Sequence, residues 1–194
     1  MLKKAALEAV LSAATQQFGN HDSDIARRLT MILSEITVNT SVKIPTSVQV
    51  SSVLPEGLDL DEGALAKHIS DCYKYLCWRS PGFGKVPSAI AKSMAVVEVV
   101  GPDGMIFDQR CRFGLLVQAS DTYYPTHQHA AEELYFILCG AAKWTVGNST
   151  PELNGAGTFI HHKPHQPHAI LTETKPLLTM WGWIGDITSS SYTI

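Results

Sequence analysis

Two hydrophobic periods divide the chain. In the first 79 or so residues the apolar positions recur at helical spacing. Leu2, Ala5, Ala6, Val10 and Leu11 form one stripe that stops at Gly19, and Ile25, Leu29, Ile32 and Ile36 form a second behind a cap at Asp22 or Ser23. Residues 39–57 mix β-branched residues with prolines and serines and read as an extended connector. A third helix is predicted from 61 to about 79, with Leu65, His68, Ile69, Tyr73 and Leu76 along one face.

After the stretch SPGFGKVP the period falls from 3.6 to 2. Residues 95–100, 113–119, 132–138, 142–147, 157–162, 168–173 and 177–183 are short apolar runs set off by Gly, Pro, Asn and Asp, the signature of antiparallel strands. The fold class is therefore mainly β with N-terminal helices. A helical extension over 1–85 is expected to pack on a barrel over 86–194, within one structural domain. A hydrophobic content of 45% over 194 residues is enough for one filled core of that size.

Histidines and carboxylates are concentrated in the β part. His127, His129, Glu133 and Gly140 fall in the pattern HxHxxxExxxxxxG, and His168 follows in PHQPH. Side chains alternate faces along a strand, so His127, His129, Glu133 and Tyr135, all of one parity, can converge on an interior face if one turn keeps the register. His168 can join them from a neighbouring strand. Imidazole nitrogens with a carboxylate suit one divalent ion such as Zn, Fe, Mn, Co or Ni, with positions left open for a substrate. An HxH alone would read as an ordinary half-buried strand; the glutamate, the glycine and the late histidine turn the reading to metal.

The remaining composition narrows the function class. A formal net charge of -3 offers no basic surface for nucleic acid. No apolar run approaches a membrane span, and the apolar stretch after Lys3 and Lys4 is interrupted by Glu8 and followed by Gln16 and Gln17, unlike a secretion signal. Cys72, Cys77, Cys111 and Cys139 form no CxxC pair and read as buried thiols of a cytoplasmic protein, with Cys139 on the parity of the ligands. His161, His162 and His165 fall in the turn before His168 as solvated or supporting groups, and His21 reads as a surface cap residue.

The motif resembles that of the cupins, whose first pattern is a glycine, five residues, HxH, three or four residues, Glu, six residues and Gly. Here Asp121 stands in place of the leading glycine. The second pattern is looser: Gly157 opens it and His168 is its ligand, with His165 where glycine is common and Thr172 where asparagine is common. The resemblance implies a double-stranded β-helix, or jelly-roll, barrel with one metal ion.

A narrower likeness rests on YYPTHQHAAEELYFILCGAAKW, PHQPHAI, WGWIGD and the helical N-terminal third, which together are similar to the cupin dimethylsulfoniopropionate (DMSP) lyases, most closely the Q type. That resemblance implies cleavage of DMSP to dimethyl sulfide and acrylate. It also implies a metal held by His129, Glu133, Tyr135 and His168, with His127 beside it as ligand or assistant and Tyr124 and Trp183 completing the pocket.

The chemistry is consistent with those residue types. A cation bound to the substrate carboxylate stabilises negative charge at the adjacent carbon, and a tyrosine beside a cation has its pKa lowered from about 10. Tyr135 is the first candidate base by parity and Tyr124 the second. Trp183, and less directly Tyr123 or Trp181, can present aromatic faces to the sulfonium, worth about 0.5 to 2 kcal/mol each. Against this, Tyr135 can be a core tyrosine, Tyr123 and Tyr124 can be loop residues before Pro125, and the tryptophans can simply fill the barrel. A cupin Fe(II) dioxygenase and a non-catalytic carboxylate-binding cupin are the alternatives. The expected partner is a small molecule, and the chain is expected to be a monomer or homodimer.

Overall fold

The computed structural model describes residues 2–38, 69 and 73–194. Helix α1 (Leu2–Gly19) and helix α2 (Asp24–Ser34) open it. Ser23 is the cap of α2: its backbone is extended and its Oγ accepts the Ala26 amide at 3.3 Å, which satisfies one of the free N–H groups of the first turn. The stripe of α1 is rotated from the one expected. Leu7, Val10, Leu11, Ala14 and Phe18 are buried while Ala5 is exposed, so the buried face starts half a turn later and runs to the end of the helix.

The connector expected over 39–57, and most of the third helix with Leu65, His68 and Cys72, lie outside the described residues. Within them, Tyr73–Tyr75 is a single 3-10 turn. By Arg79 the chain is extended, exchanging backbone hydrogen bonds with Val96 at 2.7 and 2.8 Å. The predicted helix therefore does not reach 79; pairing of Arg79 with the sheet and the disfavoured α conformation before Pro81 take that stretch instead.

The strands are β1 (Met94–Val100), β2 (Cys111–Gln118), β3 (Thr122–His127), β4 (Ala131–Val146), β5 (Glu152–Gly155), β6 (Phe159–His162), β7 (His168–Thr172) and β8 (Leu177–Gly185), with a short helix α3 (Ser88–Ala91) before the first. All pair antiparallel, in the order β1-β2-β8-β4-β7-β3, with β5 and β6 also on β4. This is a cupin barrel of two sheets, and β4 belongs to both.

The sequence expected two strands where β4 runs unbroken. Its first half pairs with β8 and β6, its second half with β7 and β5. The change of sheet occurs at a register shift between Ile137 and Cys139 and at Gly140, whose φ of +82° and contact with the Pro176 carbonyl leave no space for a Cβ. The shift reverses the parity, so Cys139 sits in the outer core with the helices and not among the ligands.

The outer face of the β1-β2-β8-β4 sheet is apolar. Val97, Phe113, Leu115, Leu134, Phe136, Met180 and Ile184 join one core with Leu7, Phe18, Leu29 and Leu33 of the helices. Leu29 comes so close that a Cβ at Gly182 would lie 2.6 Å from its Cδ1. Each such leucine contributes about 1.5–3 kcal/mol of burial. The inner face carries the second core, which includes Tyr124, Tyr135, Trp144, Trp181 and Trp183. No helix among the described residues is long and apolar enough to cross a membrane.

Candidate metal centre

Glu133 stands on the inner face of β4, two residues from Tyr135, and is 1% exposed. His168 opens β7, His127 closes β3 opposite it, and His129 lies in the crossing from β3 to β4; all three are buried. His129, Glu133 and His168 each offer one ligand atom within 4.8 Å of the others. Around Glu133 Oε2, His129 Nε2 lies at 3.0 Å and His168 Nε2 at 3.3 Å.

The protons of these imidazoles are placed by the backbone. Nδ1 of His127 faces the Pro125 carbonyl at 2.8 Å, Nδ1 of His129 that of Ala131 at 3.1 Å, and Nδ1 of His168 that of Gln166 at 2.9 Å. A carbonyl accepts only, so each Nδ1 carries the hydrogen and each Nε2 a lone pair. The lone pairs of His129 and His168 are therefore turned on a carboxylate oxygen, and His168 Nε2 is buried without a hydrogen-bond donor. Acceptors that face one another this closely are stable only around a cation or a proton. The donor set of two imidazoles and a carboxylate, each imidazole oriented by a backbone carbonyl, fits a divalent metal.

Charge supports the same conclusion. Burial raises the Glu133 pKa, but in the metal-free protein a proton held among the imidazoles of His129, His162 and His168 outweighs it and keeps the carboxyl well below its usual range, in the place an ion would take. Burial, then the neighbouring His168, push His127 well below the usual histidine value, which keeps it neutral. The other carboxylate oxygen, Oε1, accepts the Trp183 indole N–H at 2.6 Å. The Trp183 ring also stacks on His129 at 3.9 Å, so Trp183 supports two residues of the centre at once.

Above the centre is a cavity of about 40 Å3 as traced by the centre of a water molecule, room for a few waters or one small solute. Tyr124, Tyr135, Trp181 and Trp183 line it together with His127, His129 and Glu133. Tyr124 stacks on His127 at 4.1 Å, and its hydroxyl lies 2.9 Å from that of Tyr192. Both Tyr124 and Tyr135 have pKa values raised well above 10 by burial. After burial, Tyr192 adds most for Tyr124 and the Glu133 carboxylate adds most for Tyr135, while the Arg79 guanidinium lowers Tyr124.

Some expectations need correction. Tyr123 and Tyr124 are not in a loop: they belong to β3, where alternation turns Tyr124 inward and leaves Tyr123 51% exposed, away from the cavity. Pro125 is accommodated at the register shift between Tyr124 and His127. His127, expected beside the metal as ligand or assistant, stands next to the convergent set of His129, Glu133 and His168, its ring meeting that of His168 edge-on at 4.1 Å. Of the three histidines expected in a turn, His162 is instead fully buried in β6, paired opposite Glu133. His161 is exposed and bonded to Glu132, and His165 is exposed on the loop.

Other cavity residues carried no signal in the sequence reading. Tyr192 comes from the C-terminal tail, which is held down by exchange of backbone hydrogen bonds between Gln128 and Thr193. Phe83, at a φ of +52° between two glycines of positive φ, reaches the cavity from the turn after Pro81. Its ring lies 5.1 and 5.2 Å from the guanidinium carbons of Arg79 and Arg112, which share Oε2 of the buried Glu98 at 2.8 Å each. For His162 a signal existed: alternation along FIHH puts it on the same face as Ile160, the inner one.

Comparison with known proteins agrees with this architecture. A candidate dimethylsulfoniopropionate lyase, DddL, of Cereibacter sphaeroides is 31% identical over 146 residues, 73% of this chain and 61% of that protein. Dimethylsulfoniopropionate lyase DddQ of Ruegeria pomeroyi is 33% identical over 89 residues, 46% of this chain and 44% of that protein. The chain thus matches less than two thirds of the length of either. The crystal structure of DddQ from Ruegeria pomeroyi superposes with a TM-score of 0.75 at 20% identity, covering 98% of this chain and 96% of that one. A structure from the study of the DMSP lyases RdDddP and RnDddQII gives 0.74 at 19% identity over 99% and 98%. These last two likenesses establish the fold. The family profile for dimethylsulfoniopropionate lyases matches residues 20–179, and the chain belongs to that family.

Proposed function

We propose that this chain cleaves DMSP to dimethyl sulfide and acrylate by metal-dependent β-elimination. The observation that carries the proposal is the convergence of His129 Nε2, His168 Nε2 and Glu133 Oε2 beneath a small cavity walled by aromatic rings, in a member of the DMSP lyase family. A divalent ion held by those three residues, with Tyr135 as a further oxygen donor and His127 beside it, would bind the substrate carboxylate and stabilise the negative charge that develops next to it.

The protein's own groups do the rest. The aromatic faces of Trp181, Trp183 and Tyr124 that line the cavity would accept the dimethylsulfonium. A base must take the proton from the carbon beside the carboxylate; the electron pair then forms the double bond while the carbon–sulfur bond breaks and neutral dimethyl sulfide leaves. Parity favoured Tyr135 for that role. Burial raises both phenols and the Glu133 carboxylate opposes ionisation of each; Tyr124 alone has a cation, Arg79, acting the other way, as the smallest influence on it, and on that difference we assign the base to Tyr124. Tyr192, bonded to the Tyr124 hydroxyl, orients it.

Headspace detection of dimethyl sulfide from metal-loaded protein tests the assignment. Tyr124→Phe is expected to lower turnover by roughly 10²–10⁴, the range for loss of a general base, with metal content unchanged. Tyr135→Phe is expected to lower metal affinity as well as rate. Full activity in Tyr124→Phe with none in metal-replete Tyr135→Phe would exchange the two roles.

A further inference from the structure

His162 is used by none of the steps above, yet it is one of the least exposed polar residues of the molecule, at 0%. It sits on β6 directly across from Glu133 on β4, and its Nδ1 is 3.3 Å from Glu133 Oε2. Its ring is stacked on that of His168 at 3.9 Å and 10°. It lies outside the convergent set formed by His129, Glu133 and His168, so it approaches the carboxylate from beside the centre.

The hydrogen bonds decide what the ring does there. His129 and His168 spend their N–H on backbone carbonyls and turn lone pairs toward Oε2. Nδ1 of His162 has no carbonyl partner among the described residues; Oε2 is the acceptor it faces. A hydrogen on Nδ1 makes this contact a donor–acceptor pair and leaves Nε2 bare, in keeping with an Nε2 that is buried and has no protein acceptor. Filling space would not require an imidazole: a buried polar ring costs free energy that Phe or Leu would not. The cost is offset where the N–H meets a carboxylate.

We propose that His162 is a positioning residue of the metal centre: its Nδ1–H fixes the Glu133 carboxylate in the orientation that binds the ion, and its ring fixes the plane of His168. The inference rests on reading His129, Glu133 and His168 as metal ligands. It concerns affinity for the ion, so it is tested without substrate.

The test is a competition titration of Zn²⁺ between metal-stripped protein and a chromophoric chelator, for the parent and for His162→Asn, His162→Gln and His162→Leu. The Asn amide nitrogen can occupy the Nδ1 position, whereas the Gln amide reaches towards Nε2. The expected result is a loss of about 10–100-fold in Zn²⁺ affinity for Leu and Gln, the usual effect of removing a group that orients a ligand, with Asn close to the parent. Equal affinity in all four proteins, or equal loss in Asn and Leu, would overturn the proposal. A folded parent that binds no Zn²⁺, Fe²⁺ or Mn²⁺ would instead remove the metal-centre reading itself and this inference with it. Should the Leu variant fail to fold, the Asn and Gln pair still decides.

Discussion

Strands β4 and β8 carry opposite chemistry on their two faces. Outward, Leu134, Phe136, Met180 and Ile184 meet α1 and α2 in an apolar core. Inward, at the alternate positions, are Glu133, Tyr135, Trp181 and Trp183, and with them buried polar atoms that lack a protein partner, among them Trp181 Nε1, Thr179 Oγ1 and His168 Nε2. One backbone therefore serves two purposes with the same pleat. The outer face is specified by volume, so any residue that fills its space keeps it. The inner face is specified by atoms, because a buried carboxylate among lone pairs is tolerable only when each atom has its counterpart. Stability should reside mainly outside and activity inside.

Substitutions on the two faces should separate these properties. The largest effect is expected for Glu133→Gln: removal of the carboxylate charge should abolish stoichiometric metal binding and, with it, turnover, read by elemental analysis and by dimethyl sulfide release. Thermal unfolding of the metal-free protein should change far less. A variant that keeps both metal and activity would show that Glu133 is merely a buried carboxylate.

On the outer face, Leu29→Ala on α2 should cost about 2–4 kcal/mol through the cavity it leaves, a fall in Tm of roughly 5–15 °C, while kcat at 20 °C stays near the parent's. Loss of activity without loss of stability there would break the division between the faces.

A smaller effect should follow pH in the metal-free protein. Burial, then His168, push His162 down to about 4 from the ordinary 6.5, and His127 is likewise depressed. The unfolded chain thus takes up protons near pH 6.5 that the folded chain refuses. Stability should decline as pH falls from about 6.5 towards 4. Glu133, held low, adds a loss in the same direction below its ordinary 4.5. Unfolding of chelator-treated protein between pH 7 and 5 measures it; a Tm that rises on acidification would mean that these imidazoles are already charged in the fold. Leu29→Ala should show the same slope, since it touches none of these groups.

The comparison also explains what could be read before the structure. Period and capping pointed to α2 behind Asp22 or Ser23 and to most strands, because a half-buried element must alternate to fold at all. The candidate ligands could be proposed on a similar ground: His129 and Glu133 share a parity across the crossing from β3 to β4, and His168 opens β7. Two features defeated period. Gly140 lets β4 pass from one sheet to the other with a change of face, so the parity of Cys139 with the candidate ligands did not give its side. Pro125 hid β3, which bulges around it. Tyr192, Phe83 and Arg79 reach the cavity from a tail, a turn and an isolated bridge to Val96, where position is set by tertiary contacts. No local pattern announces such residues.

The central claim is that metal held by the inner face makes this barrel a DMSP lyase. The most direct measurement is oxygen-free assay of dimethyl sulfide and acrylate from DMSP, using protein that has been stripped by chelation, then reloaded with one equivalent of Zn²⁺, Fe²⁺ or Mn²⁺. The account predicts no release from stripped protein and restored release on reloading, with the two products in equal amounts. Release that persists undiminished without metal, or no release with any of these ions, would contradict it.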